Sequence, residues 1–92
     1  EIQETFRKIN LEAAREIAWQ LRLRNLSGII LIDFINLEKE EDKKELLQTL
    51  QVYLKQDPVK GTVVDMTPLN IVEVTRKKVR KSLLEELKAL EK

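Results

Sequence analysis

Three observations predict an α/β fold for this chain, with α+β as the neighbouring class. A long run of branched apolar residues within 28–36 reads as a strand, amphipathic helical stripes flank it on both sides, and a second short apolar strand follows the second helix. The strand, helix and strand make one βαβ unit. The expected architecture is a small three-stranded mixed sheet packed by two amphipathic helices plus a C-terminal helix, in the order α-β-α-β-β-α.

The first helix is expected from Thr5 to Leu26. Phe6, Ile9, Ala13, Ile17 and Leu21 recur every three or four residues and form an apolar stripe. Trp19, Leu23 and Leu26 form a second apolar line on nearly the opposite side, which either lies over the core edge or meets a partner. Asn25, Ser27 and Gly28 end the helix and turn the chain into the first strand. That strand, Gly28 to Asn36, is apolar enough to be covered on both faces.

A second helix follows from Leu37, with Leu46, Leu47, Leu50, Tyr53 and Leu54 as its apolar face. Acids crowd its first turns and Lys55 sits in its last, as the helix dipole favours. The acidic run Glu38-Lys39-Glu40-Glu41-Asp42 reads as a solvated helix start, with a metal cluster as the sharper alternative. Pro58 closes this helix by excluding Asp57 from the helical region. Gly61 opens a strand, Thr62–Met66, expected to run parallel to the first with a right-handed crossover. Thr67-Pro68-Leu69-Asn70 forms a turn in which Asn70 can enter the left-handed region. Ile71–Thr75 is a third strand, antiparallel to the second. Ser82 with Glu85 makes a capping box that starts a last helix through Leu90.

Ninety-two residues make one small domain, or part of a larger one. Without Cys or His the chain cannot form disulfides, the usual zinc sites, thiol nucleophiles or His-dependent triads. Any metal must take oxygen ligands, which favours Mg²⁺ or Mn²⁺. Seventeen basic and sixteen acidic residues give a net charge of +1, so the distribution of charge matters more than its sum. No apolar run reaches membrane-span length, and no charged leader precedes a hydrophobic stretch. With two glycines there is no phosphate-cradling loop of the P-loop or dinucleotide type.

Two features carry candidate chemistry. Asp33 stands at the outgoing end of the first strand, where open α/β sheets bind ligands. It serves a metal or catalytic role, or else it caps a turn or pairs with a nearby cation. The second feature is the basic run Arg76-Lys77-Lys78-Val79-Arg80-Lys81. If extended, it places Arg76, Lys78 and Arg80 on one face about 7 Å apart, a spacing able to follow a nucleic-acid backbone. The plainer reading is a charged edge strand that resists aggregation. Arg22 and Arg24 add a weaker basic spot, and Asp65 and Glu73 read as exposed strand positions.

Several segments together resemble the catalytic region of the bacterial ribonuclease E/G family. They are Asn10-Leu11-Glu12-Ala13-Ala14-Arg15-Glu16-Ile17-Ala18, Gln20 to Gly28, Ile32-Asp33-Phe34-Ile35, Gln56-Asp57, and Val72 to Leu83. The resemblance runs from about Glu4 to Leu84. It implies a deoxyribonuclease I-like subdomain of an endoribonuclease that cuts single-stranded RNA, in RNA maturation and decay in the bacterial cytoplasm. It also implies that Asp33 is the second of two aspartates that hold one Mg²⁺, the first lying in an upstream segment this chain lacks. The family's zinc-binding Cys pair is likewise missing, so the chain is expected to be a portion of a larger catalytic domain, inactive alone. The natural enzyme would be a possible homo-oligomer.

Arg76, Lys78 and Arg80 would contact RNA phosphates, and Lys60 falls where the family can carry an Arg that supports recognition of the RNA 5′ end. Asn36 stands in place of a usual Asp, Asn70 in place of a usual Gly, and Trp19 in place of a usual basic residue. Two other readings remain open at this point: a non-catalytic RNA-binding module, and a protein-interaction domain using the Trp19, Leu23, Leu26 face.

Overall fold

The computed structural model describes residues 1–90, in which six elements follow in the expected order: α1 (Ile2–Leu23), β1 (Gly28–Asp33), α2 (Glu40–Lys55), β2 (Gly61–Met66), β3 (Ile71–Arg76) and α3 (Lys81–Leu90). The α/β class holds. α1 begins earlier than its stripe suggests, where the Glu1 side chain accepts from the Gln3 N–H. It ends as the Asn25 signal requires. Asn25 takes φ 50°, its N–H donates to the Arg22 carbonyl, and the Leu26 N–H reaches back 3.0 Å to Leu21. This is the left-handed helix end that Asn tolerates. Gly28 follows at φ +86°, a conformation that side chains rarely adopt.

The buried face of α1 lies one residue round from the predicted stripe. Asn10, Ala14, Ala18 and Leu21 are buried, whereas Ile9 is exposed. Ala14 and Ala18 are short enough to bring the backbone of α1 close to its neighbours. They pack with Leu46, Leu50 and Leu54 of α2 and with Ile32, Phe34, Val72 and Val74 from the sheet side, a single core. The two helices are also joined by Arg7, whose Nε and Nη2 donate to both Glu45 carboxylate oxygens at 2.6 and 2.9 Å.

Sheet order is β1-β3-β2, and both pairings are antiparallel. β1 and β2 run in the same direction, as expected of the βαβ unit, but β3 lies between them, so the sheet is antiparallel throughout and not mixed. The reason is the tight turn at 67–70, which folds β3 directly against β2. Asn70 at φ 62° and the Thr67 N–H to Ile71 carbonyl bond of 2.8 Å close it. β3 supplies the most deeply buried strand residues, Val72 and Val74 at 0 % exposure, and accordingly takes the centre.

Core contacts come from one face of the sheet. Ile29 and Leu31 on the other face are 71 % and 64 % exposed, so the expectation that β1 is covered on both faces is corrected among the described residues. An antiparallel sheet can leave one face open in this way. The β2 edge is treated differently. Gln51 of α2 accepts from the Val63 N–H at 2.8 Å and donates to the Gly61 carbonyl at 3.3 Å, so its side-chain amide occupies that margin. α3 starts at Lys81, one residue ahead of the predicted Ser82 cap, and among the described residues packs on no other element.

The hydrogen bonds from Arg7, set against a smaller cost of desolvation, hold the Glu45 carboxyl below the usual carboxylate range. A depressed value in the folded state means that this pair's contribution is fully present above the unfolded carboxylate range. It is lost as pH falls through the folded value. An NMR titration should show Glu45 titrating below the usual carboxylate range, and Arg7→Ala should return it to that range.

Candidate functional site

Asp33 is the last paired residue of β1, opposite Ile71. Side chains alternate along a strand, so the burial of Ile32 and Phe34 sends the intervening Asp33 carboxylate outward. It is exposed, and no hydrogen bond or ion pair engages it among the described residues. The turn-capping and ion-pairing explanations for this residue therefore have no support. Register also protects this placement. A slip of one residue would drive the carboxylate into the core and bring Ile32 out.

The segment after Asp33 is held from two sides. Asn10 of α1 bonds both backbone groups of Ile35, and Asn36 accepts from the Asn70 side chain at the β2–β3 turn. This bond joins the segment after β1 to the β2–β3 turn across 34 residues of sequence. Asp65 and Glu73 face each other across β2 and β3. Among the described residues no group of three or more acidic side chains is close enough to cage a metal ion. Asp33 offers a hard oxygen donor suited to Mg²⁺ or Mn²⁺, as one ligand among waters and donors from elsewhere.

The basic run divides. Lys78 and Arg80 are exposed in the connection after β3, and Lys60 is exposed just ahead of β2. Arg76 is not available to RNA, which corrects its assignment as a phosphate contact. Strand alternation places it on the inner face beside Val72 and Val74, with a side-chain exposure of 0 %. Its Nε donates to Asp57 Oδ2 at 2.8 Å, and its Nη1 donates to Asn25 Oδ1 at 2.9 Å and to the Leu26 carbonyl at 3.1 Å.

This buried cation nonetheless fixes a surface loop. Asp57 Oδ1 also accepts from the Val59 N–H at 2.9 Å, and the Lys60 carbonyl accepts from the Lys77 N–H at 2.9 Å. The 57–60 loop is thereby fixed against the end of β3, and Lys60 is presented beside Lys77 and Lys78. The sequence signal for this clamp was the Asp57–Pro58 helix stop, which marks a loop but does not reveal its partner.

Asp33 and the cationic group lie at opposite ends of the sheet. Gly28, at the other end of β1, pairs with Arg76, about 17 Å from the Asp33 position at strand rise. The open face lies between them, with Ile29 and Leu31 exposed along it. On the helical side a cleft of about 710 Å³ is lined by Arg15, Glu16, Trp19, Tyr53 and Gln56 among others, and Arg22 stacks over Trp19 at 5.7 Å. Trp19 and Leu23 are each half exposed, so the second apolar line of α1 is not covered within the described residues.

Comparison with known sequences defines the class of protein to which this fold belongs. Residues 1–79 match the Ribonuclease E/G family. Ribonuclease G of Salmonella typhimurium (strain SL1344) is 44% identical over 82 residues, which covers 89% of this chain and 17% of that protein. Ribonuclease G of Escherichia coli (strain K12) is likewise 44% identical over 82 residues. A Ribonuclease E/G-like protein of Porphyra purpurea is 43% identical over 83 residues, 90% of this chain and 16% of that protein. The chain belongs to the ribonuclease E/G family and spans about one sixth of the length of these relatives.

Breaking the Arg76 clamp tests its structural role. Arg76→Met should lower stability by about 3–5 kcal/mol, because Asp57 is left buried and unpaired. Adding Asp57→Leu should recover much of that loss in urea denaturation, whereas Lys78→Ala should stay within about 0.5 kcal/mol of the parent.

Proposed function

We propose that this chain is the part of an endoribonuclease catalytic region that contributes one metal-binding carboxylate, Asp33, and phosphate-binding cations to single-stranded RNA. The observation that carries this reading is the outward, unpartnered Asp33 carboxylate in a segment matched to the ribonuclease E/G family. On this reading the second aspartate ligand lies outside the chain, in a larger protein of the bacterial cytoplasm. A divalent cation bound between the two would lower the pKa of a water and neutralise charge developing on the phosphoryl oxygens.

The chain's own residues divide the remaining work. Asp33 supplies an anionic oxygen whose direction is set by the ladder to β3 and by the held segment that follows. Lys60, Lys78 and Arg80 bind phosphates without reading sequence. Their separation from Asp33 matches an extended strand of several nucleotides laid across the open face, with Ile29 and Leu31 beneath it. Lys60 is on the side that would meet the RNA 5′ end. Arg76 acts only by fixing the loop that bears Lys60.

Two experiments test the proposal. The isolated 92-residue chain should bind Mg²⁺ weakly and leave RNA intact, since one carboxylate is a poor site for an ion that holds its waters tightly. EDTA-sensitive cleavage by this purified chain would contradict the incomplete-site reading. In Escherichia coli ribonuclease G whose matched segment is replaced by this one, RNA cleavage should persist, and Asp33→Asn should reduce it by about 10³-fold or more, equivalent to about 4 kcal/mol. RNA affinity should hardly change. An equal loss of affinity would instead mark Asp33 as structural. In the same chimera Lys78→Ala and Arg80→Ala should each reduce the slope of log affinity against log salt by about 0.7. An unchanged slope would remove those residues from the interface.

A further inference from the structure

Pairing of β1 with β3 ends at Asp33 and Ile71, so the ladder does not reach the backbone N–H and carbonyl of Ile35. Asn10 meets both. Its Nδ2 donates to the Ile35 carbonyl at 2.8 Å, and its Oδ1 accepts from the Ile35 N–H at 3.0 Å. Asn10 is 1 % exposed in the middle of α1, so this amide is a fixed part of the packed interior. A primary amide carries its donor and its acceptor on separate atoms, spaced to meet the carbonyl and the N–H of one residue. The near-isosteric Leu would meet neither.

The position is an unusual one for a polar residue. α1 buries Ala14, Ala18 and Leu21 on the same face, and an apolar residue at position 10 would extend that stripe. Burying an amide instead requires both of its functions to be matched. They are matched by a single residue, two positions beyond Asp33. Phe34 and Leu37 anchor the same segment in the core on either side of the clamp. Once residues 34–37 are fixed, the end of β1 has one register and one direction, and the Asp33 carboxylate leaves the strand on a defined line.

We infer that Asn10 is a positioning residue for Asp33: by clamping the Ile35 backbone, it sets the direction in which the carboxylate is offered to a divalent cation. This inference rests on the metal-binding reading of Asp33. Residues that orient a metal ligand without touching the ion commonly change metal affinity by about 10- to 100-fold when removed.

The test uses the same ribonuclease G chimera, with Asn10→Ala and the near-isosteric Asn10→Leu, which can neither donate nor accept. Mn²⁺ affinity is read directly by electron paramagnetic resonance, and the Mg²⁺ concentration for half-maximal cleavage is read separately. Both variants should bind Mn²⁺ about 10-fold or more weakly and need correspondingly more Mg²⁺, while KM for RNA at saturating Mg²⁺ stays within about twofold. A lower melting temperature with unchanged Mn²⁺ affinity in the folded protein would show that Asn10 only supports the fold, and would overturn the inference. If Asn10→Ala does not fold, the same Mn²⁺ measurement on Asn10→Leu decides the matter. Asp33→Asn separates the two levels of argument. Loss of Mn²⁺ binding in Asp33→Asn alone would sink the role of Asn10 and keep that of Asp33. Unchanged binding in Asp33→Asn would sink the metal reading and this inference with it.

Discussion

Three segments far apart in sequence converge on the Arg76 guanidinium: the end of α1 at Asn25 and Leu26, the end of α2 at Asp57, and β3 itself. The cation is sealed from water, so each of its donors needs an acceptor, and the loops must come to it. The left-handed Asn25 and the Pro58 turn are thus more than local stops. Each delivers an oxygen to the same buried charge. With both loops fixed there, the strands they feed, β1 and β2, enter the sheet at set heights on either side of β3. The registers of Asp33 at one end and Lys60 at the other follow from that common origin.

Much of this order was legible in the sequence, because the punctuation is strong. Asn25 and Gly28, Pro58, and the Thr67–Asn70 turn mark three of the five connections, and the apolar periods between them give element types correctly. Pairing order was not legible. A strand, a helix and a strand in succession suggest neighbours, and nothing local states that the following hairpin arm will insert between them. The rotation of α1 was also hidden, since Ala counts little in a hydrophobic stripe yet allows the closest packing.

At the candidate site, Asp33 stood out because a charge at the end of a long apolar run demands a reason. Arg76 misled because a cluster of cations suggests a single exposed surface. Its position in strand alternation, two residues after the buried Val74, already carried the opposite information. Asn10 gave no signal of its own, because its partners are backbone groups of a segment 25 residues away. Buried polar clamps of that kind become visible only once the chain has folded around them.

The open sheet face unites these findings. Placing all core contacts on one side frees the outer side chains of β1, β2 and β3, and with them a surface that joins the carboxylate end to the cationic end. The exposed Lys60 and Lys78 lie near one end of the sheet and the exposed Asp33 carboxylate at the other.

The unequal treatment of the two sheet margins has its own consequence. Gln51 fills the donor and acceptor positions outside β2, so no further strand can be stitched on there without displacing it. The margin beyond β1 has no such plug among the described residues. Two copies meeting through their β1 margins would therefore form a continuous six-stranded sheet terminated by glutamine at each limit. Growth through the backbone would halt at a pair instead of running on into a fibre.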